Sequence, residues 1–120
     1  VTQARLSLGK QGEELAARYL EQRGFTIVAR NHRTPIGELD IIARDRRHLL
    51  FVEVKTRRSM AFGAPAEAVG AHKQRQILRA AQWYLATARY PDLQPRFDVI
   101  SVLAGRDEPV ISHIANAFGL

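Results

Sequence analysis

The sequence predicts a mixed α/β domain, with helices packed on a central mixed sheet of four to five strands in the order α-β-β-β-α-β(-β). Three observations carry this. Two segments repeat apolar residues at helical spacing. Between them lie three strand-like runs joined by short polar turns, and strand-like runs follow the second helix. At 120 residues, length favours one core over two, so residues 1–120 are expected to form one domain.

The first helix is expected over Leu8–Arg23. Gly9, Gly12, Glu13, Ala16, Tyr19 and Leu20 fall on one face, and Glu14, Ala17, Arg18 and Glu21 on the outer one. Gly24 is a natural C-terminal stop. Phe25–Arg33, Glu38–Arg44 and His48–Arg57 read as strands. The turns Thr34-Pro35-Ile36-Gly37 and Asp45-Arg46-Arg47 between them imply an antiparallel meander. Ser59–Gly70 reads as a loop. A second helix is expected over His72–Ala88, with Ile77, Ala80, Ala81, Tyr84, Leu85 and Ala88 as its inward stripe. Tyr90-Pro91-Asp92 ends it. Arg96–Leu103 reads as a fourth strand and Val110–Ile114 as a weaker fifth.

Composition narrows the function classes. Hydrophobic residues are 46% and charged residues 25%, as in ordinary globular chains. Cysteine is absent, which excludes disulfides, thiolate metal sites and cysteine nucleophiles. No run approaches the roughly 20 apolar residues of a membrane helix, and no signal-peptide pattern is visible, so a cytoplasmic address and no membrane partner are expected. The net charge of +6 points to a polyanionic partner, although arginine is simply abundant: 15 of the 18 basic residues are Arg.

The chemistry concentrates on two neighbouring strands. In His48–Arg57, Leu50, Val52 and Val54 share an apolar face, while Phe51, Glu53 and Lys55 share the other. In Glu38–Arg44, alternation puts Glu38, Asp40 and Ile42 on one face, opposite Leu39 and Ile41. If the strands pair, Asp40 and Glu53 converge with Lys55 beside them. Two carboxylates about 4 Å apart repel by about 4 kcal/mol at an effective dielectric of 20, which a divalent cation such as Mg²⁺ or Mn²⁺ offsets. Lys55 in a plain salt-bridge cluster, or edge-strand charges that discourage aggregation, account for the same residues.

Asp40 followed by Glu53-Val54-Lys55 resembles the D…(D/E)-x-K core of restriction-endonuclease-like nucleases. The wider pattern is similar to the YraN-like family of bacterial proteins within that fold. The matching stretches are Gly12-Glu13 with Ala16, Arg30-Asn31, Gly37–Ala43, Phe51–Arg57, Lys73 and Arg96–Val99, which cover nearly the whole chain. Leu39 departs from the motif, which has proline there. The resemblance implies a restriction-endonuclease-like fold and Mg²⁺- or Mn²⁺-dependent hydrolysis of DNA phosphodiesters, at branched or damaged DNA. It implies Asp40, Glu53 and the Val54 carbonyl as metal ligands, with Lys55 orienting water and stabilising developing charge. Archaeal Holliday-junction resolvases look similar at the first helix, where they carry an active-site glutamate; the corresponding residue is Glu13. Its inward phase agrees, and so does the plain reading of an acid favoured near a helix N-terminus.

The remaining candidates rank below these. Glu38 is either an additional site acid or an arginine's partner. Lys73, which continues the inward stripe of the second helix, reaches phosphate, reaches the carboxylates, or snorkels at the rim. Arg46, Arg47, Arg57 and Arg58, in turns and at strand ends near the expected site, are candidates for phosphate contact, against a solvated-rim reading for any one of them. Asp98 is expected to be a strand-end ion-pair acceptor. Met60 and Phe62 are candidates for stacking on bases or for burial against a partner subunit, and a homodimer is one candidate assembly. Trp83 lies off the main stripe, as a second packing or interface contact. The histidines show no metal-ligand spacing. A non-catalytic nucleic-acid-binding module and an interaction protein with a structural charge cluster are the alternatives to a nuclease.

Overall fold

The computed structural model describes residues 2–58, 69–88, 90–105 and 108–119, with the backbone alone over 2–7. Met60 and Phe62 lie outside the described residues. The elements are α1 (Thr2–Gln22), β1 (Thr26–Arg33), β2 (Glu38–Arg44), β3 (His48–Arg57), α2 (Ala71–Thr87), β4 (Gln94–Leu103) and β5 (Val110–Phe118). The five strands form one mixed sheet in sequential order. β1-β2-β3 is the expected antiparallel meander, β3 and β4 run parallel, and β5 returns antiparallel. A parallel pair needs a long crossover, and α2 supplies it.

The apolar faces decide which helix covers which side. Leu50 and Val52 of β3 join Ile41, Ala43, Ile100 and Val102 under Ala16, Ala17 and Leu20 of α1. Leu49 and Phe51, the alternate residues of β3, join Ile42, Phe97 and Val99 under Ile77, Ala80, Ala81 and Tyr84 of α2. Gly12 sets the depth of α1. A Cβ there would overlap the Thr56 side chain on β3, so only glycine allows this approach. At its other end α1 closes with a Schellman motif: Phe25 N–H bonds Leu20 O and Gly24 N–H bonds Glu21 O, each at 3.0 Å, with Gly24 at φ 93°.

Several expectations are corrected. Helix α1 begins at Thr2, well before Leu8. Ala17 is not on the outer face; it is buried at 4% exposure, because the packed stripe of α1 is wide enough to take both Ala16 and Ala17. Strand β5 runs past Ile114 to Phe118. Leu39 does not share a side with Ile41. It packs in the α2-side core: the β2–β3 ladder ends at Ile41–Val52, and Leu39 is paired on its β1 side alone, with His32 beyond the left-handed Asn31. Asp98 is not at a strand end but in mid-β4 with no exposure.

Candidate functional site

The site is set by two hairpins. Thr34 shapes the β1–β2 turn: its Oγ1 accepts from Gly37 N–H (3.0 Å) and Ile36 N–H (3.2 Å) and donates to Gly37 O (2.6 Å). This fixes where β2 starts. The β2–β3 register pairs Ile41 with Val52, and one further step puts Asp40 opposite Glu53. The ladder has stopped there, so the Asp40 carboxylate takes its place. Its Oδ2 accepts the Val54 N–H at 3.0 Å.

Asp40 and Glu53 are in carboxyl–carboxyl contact. Glu53 is buried at 5% exposure. Burial, the hydrogen bond with Asp40 and the Asp40 charge push its carboxyl up to about 8, against the weaker pull of Lys73 and Lys55. Near neutral pH Glu53 therefore keeps its proton. Lys73 Nζ stands 3.6 Å from Glu53 Oε2, so α2 brings this lysine to the carboxylates with its side chain still 43% exposed. Lys55 lies near enough for its charge to act on Glu53.

Glu13 approaches from α1. It hydrogen-bonds Asn31, and burial, together with the charges of Asp40 and Glu38, raises its carboxyl above the ordinary range. Glu14 points elsewhere, to Arg18 (3.1 Å) and Arg30 (2.9 Å), and those hydrogen bonds lower its carboxyl. Glu38 pairs loosely with Arg33 at 3.7 Å, while its charge still reaches Glu13.

Asn31 was given no role by sequence reasoning. The β1–β2 register, which shifts at Val28, places Asn31 between the pairs Arg30–Ile41 and His32–Leu39, and so opposite Asp40. Its backbone is left-handed, at φ 50°. Asparagine tolerates that conformation better than most residues. An asparagine inside a strand is itself unusual, and that is the signal that could have flagged it.

The arginines divide. Arg57 ends β3 at the site's end of the sheet, and Arg58 follows it. Arg46 and Arg47 sit in the β2–β3 turn, at the opposite end. Six residues of strand at about 3.3 Å each separate Arg47 from Glu53, about 20 Å. The expectation that these two lie near the carboxylates is therefore corrected: a hairpin turn lies at the far end from the residues that open its first strand.

Of the histidines, His113 belongs to a buried network. Its Nε2 lies 2.7 Å from Asp98 Oδ2, and its Nδ1 lies 3.1 Å from the Tyr19 hydroxyl. Among the described residues no three His, Asp or Glu side chains gather as a ready-made metal cage. The donors that fit a cation are the oxygens of Asp40 and Glu53. The proton that Glu53 keeps marks a point where positive charge is needed, and hard carboxylate oxygens suit Mg²⁺ or Mn²⁺. The Val54 main chain is at the site through its N–H.

Fold and site together define the class: an α/β protein with two helices on a five-stranded mixed sheet, carrying a carboxyl pair with flanking lysines at one end. Residues 12–102 match the uncharacterised protein family UPF0102. The chain is 61% identical over 118 residues to a UPF0102 protein of Syntrophotalea carbinolica, covering 98% of this chain and 96% of that one. It is 53% identical over 113 residues to one from Nocardia farcinica (93% and 89%) and 49% identical over 114 residues to one from Desulfosudis oleivorans (95% and 91%). The chain belongs to the UPF0102 family, the YraN-like family that its sequence resembles. Among the described residues no helix is long and apolar enough to cross a membrane.

Proposed function

We propose that this protein is a divalent-cation-dependent endonuclease that hydrolyses DNA phosphodiester bonds at Asp40, Glu53 and Lys55. The observation that carries the reading is the contact of two carboxyls across the opened β2–β3 ladder, one of them 5% exposed. A merely structural buried acid is expected to be matched by donors, and this one faces another acid. The resemblance of Asp40…Glu53-Val54-Lys55 to the restriction-endonuclease-like core supports the same reading.

Asp40 and Glu53 would hold Mg²⁺ or Mn²⁺, with the Val54 carbonyl as a further donor. When bound, the cation supplies a water of lowered pKa and screens the phosphate charge. Asp40 keeps its orientation through the Val54 N–H, so its free lone pairs stay aimed at the pair's shared point. Lys55 orients the attacking water and stabilises the negative charge that develops on the phosphate. Glu13, positioned by Asn31, stands on the α1 side as a further water-positioning acid. Lys73 beside Glu53, and Arg57 and Arg58 four and five residues further along the chain, supply positive charge suited to backbone phosphates.

The test is a cleavage assay with Mg²⁺ or Mn²⁺ over duplex, single-stranded, flap and four-way-junction DNA, with wild type beside Asp40→Asn and Lys55→Ala. The proposal expects metal-dependent cuts on at least one substrate, lost in both variants, with DNA affinity nearly unchanged in Lys55→Ala. Duplex binding with no cleavage of any substrate would favour the binding module instead.

A further inference from the structure

The arginines at the far end of the sheet border a cleft that the carboxyl pair does not explain. Its volume is about 930 Å³, and Gly24, Thr26, Arg44, Asp45, Arg46 and Arg47 line it. Ligand sites commonly measure about 300–1,000 Å³. Three guanidiniums face one carboxylate here, and that carboxylate is already engaged. Asp45 Oδ1 accepts Arg47 N–H at 2.8 Å and His48 N–H at 2.7 Å, which shapes the turn. Arg44 is steadied over the Tyr90 ring at 5.4 Å. Arg46 and Arg47 are exposed, and among the described residues neither forms an ion pair. Gly24 cannot readily carry a side chain at φ 93°, which keeps this wall low.

The lining also says what kind of anion fits. Among the described lining residues no aromatic ring and no carboxamide side chain is present to stack on a base or read its edge. Guanidinium forks and the Thr26 hydroxyl match phosphate oxygens, which position a nucleic acid without reading its sequence. Strand β1 runs from the cleft to the carboxyl pair. Glu13 and Gly24 lie eleven residues apart along α1 and its cap, and Asn31 and Thr26 lie on β1, the edge strand.

We propose that this cleft is an anchor for the phosphate backbone of a nucleic acid, a contact point about 20 Å from Asp40 and Glu53. It deepens the nuclease reading, on which it rests only for what the other contact does. At 3.4 Å per base pair the two points are about six steps apart, so the fitting substrate is a polymer and not a nucleotide.

The test is a fluorescence-anisotropy titration of a 20-base-pair duplex in EDTA, where no metal-dependent cleavage occurs. Arg46→Ala/Arg47→Ala is expected to weaken binding at least tenfold near 0.1 M salt. It is also expected to lower the slope of log K against log salt by about two units, one for each phosphate that is no longer neutralised. Its thermal midpoint should match wild type, because both side chains are exposed. Arg75→Ala/Arg79→Ala, on α2 and outside the cleft's described lining, is expected to cost less than threefold. Unchanged affinity and slope in the first variant, an equal loss in the second, or no duplex binding by wild type would overturn the anchor. So would AMP at millimolar concentration displacing the duplex from wild type, which would make the cleft a free-nucleotide site. A failed cleavage assay with these affinities intact would sink the nuclease reading and leave the anchor standing.

Discussion

Glu53 and Asp98 are buried acids on adjacent parallel strands, and the structure treats them in opposite ways. The register pairs Val52 with Asp98, so the two acids are one step apart and face opposite sides of the sheet. Asp98 has no exposure and is surrounded by donors. Arg96 binds both its oxygens (2.9 and 2.7 Å), His113 Nε2 lies at 2.7 Å, and the Asn116 N–H donates at 3.0 Å. Burial alone would raise its carboxyl, yet those hydrogen bonds hold it down at about 2. Glu53 is nearly as buried, meets a second carboxyl and two lysines, and rises to about 8. Burial is common to both, and the partners set the sign. Asp98 is tied into α1 and β5 through His113 and Tyr19, as a structural acid is. Glu53 is met by one lysine at 3.6 Å and by a second carboxyl, an arrangement that suits the ligand-holding role proposed for it.

The widest separation between the two acids is expected in stability. Asp98→Ala leaves the half-buried Arg96 without its counter-charge and removes the fully buried acid that Arg96, His113 and Asn116 share, a loss of about 3–5 kcal/mol. Glu53→Gln removes a charge that the folded state already disfavours. It is expected to leave stability within about 0.5 kcal/mol of wild type in EDTA at pH 7, or to raise it. Urea denaturation of the two variants measures this; comparable losses would dissolve the distinction.

The pH dependences should run in opposite directions. Asp98 is depressed from the ordinary 3.8 to about 2, so the unfolded chain binds more protons between those values. Its contribution, about 2 kcal/mol, is present above pH 4 and lost as pH falls toward 2. Glu53 is raised from 4.5 to about 8, so the folded chain binds more protons across that interval. Stability therefore falls as pH rises from about 4.5 to 8 in cation-free buffer, and Glu53→Gln flattens the decline. Melting curves from pH 2 to 9 test both arms.

Packing beneath the site gives a third contrast. Gly12→Ala drives a methyl into Thr56, and overpacking of this kind costs about 1–3 kcal/mol. Gly9→Ala, with open space around it, should cost nothing measurable by the same denaturation curves. The smallest expected effect separates neighbouring glutamates. Glu13→Gln should slow metal-dependent cleavage about tenfold, or about 1.4 kcal/mol of barrier, while Glu14→Gln changes it less than twofold. The reverse ranking would show that Asn31 holds Glu13 for packing alone.

What the sequence made legible follows its regular periods. Alternation in β3 separated Leu50 and Val52 from Phe51 and Glu53, and antiparallel pairing was enough to bring Asp40 to Glu53. The helical phase separated Glu13 from Glu14 but misplaced Ala17, since a phase angle does not give the width of the packed stripe. Irregular backbone was not legible. Leu39 leaves its side where the ladder ends. Asn31 acquires its role from a left-handed φ on a strand with a register shift. The partners of Asp98 depend on a register shift opposite β5, where Phe97 pairs with Phe118 and Val99 with Ile114, so Asn116 folds back onto the carboxylate. The position of Arg46 and Arg47 was readable in principle, because the turn of a hairpin lies away from the residue that opens it.

The central proposal is that a divalent cation held by Asp40 and Glu53 takes the place of the proton that Glu53 keeps. Calorimetric titration of the protein with Mn²⁺ at pH 7, in two buffers of different ionisation enthalpy, measures it directly. The account predicts one site in wild type, release of about one proton on binding, and no detectable site in Asp40→Asn. Binding that survives Asp40→Asn, or binding with no proton released, would contradict it.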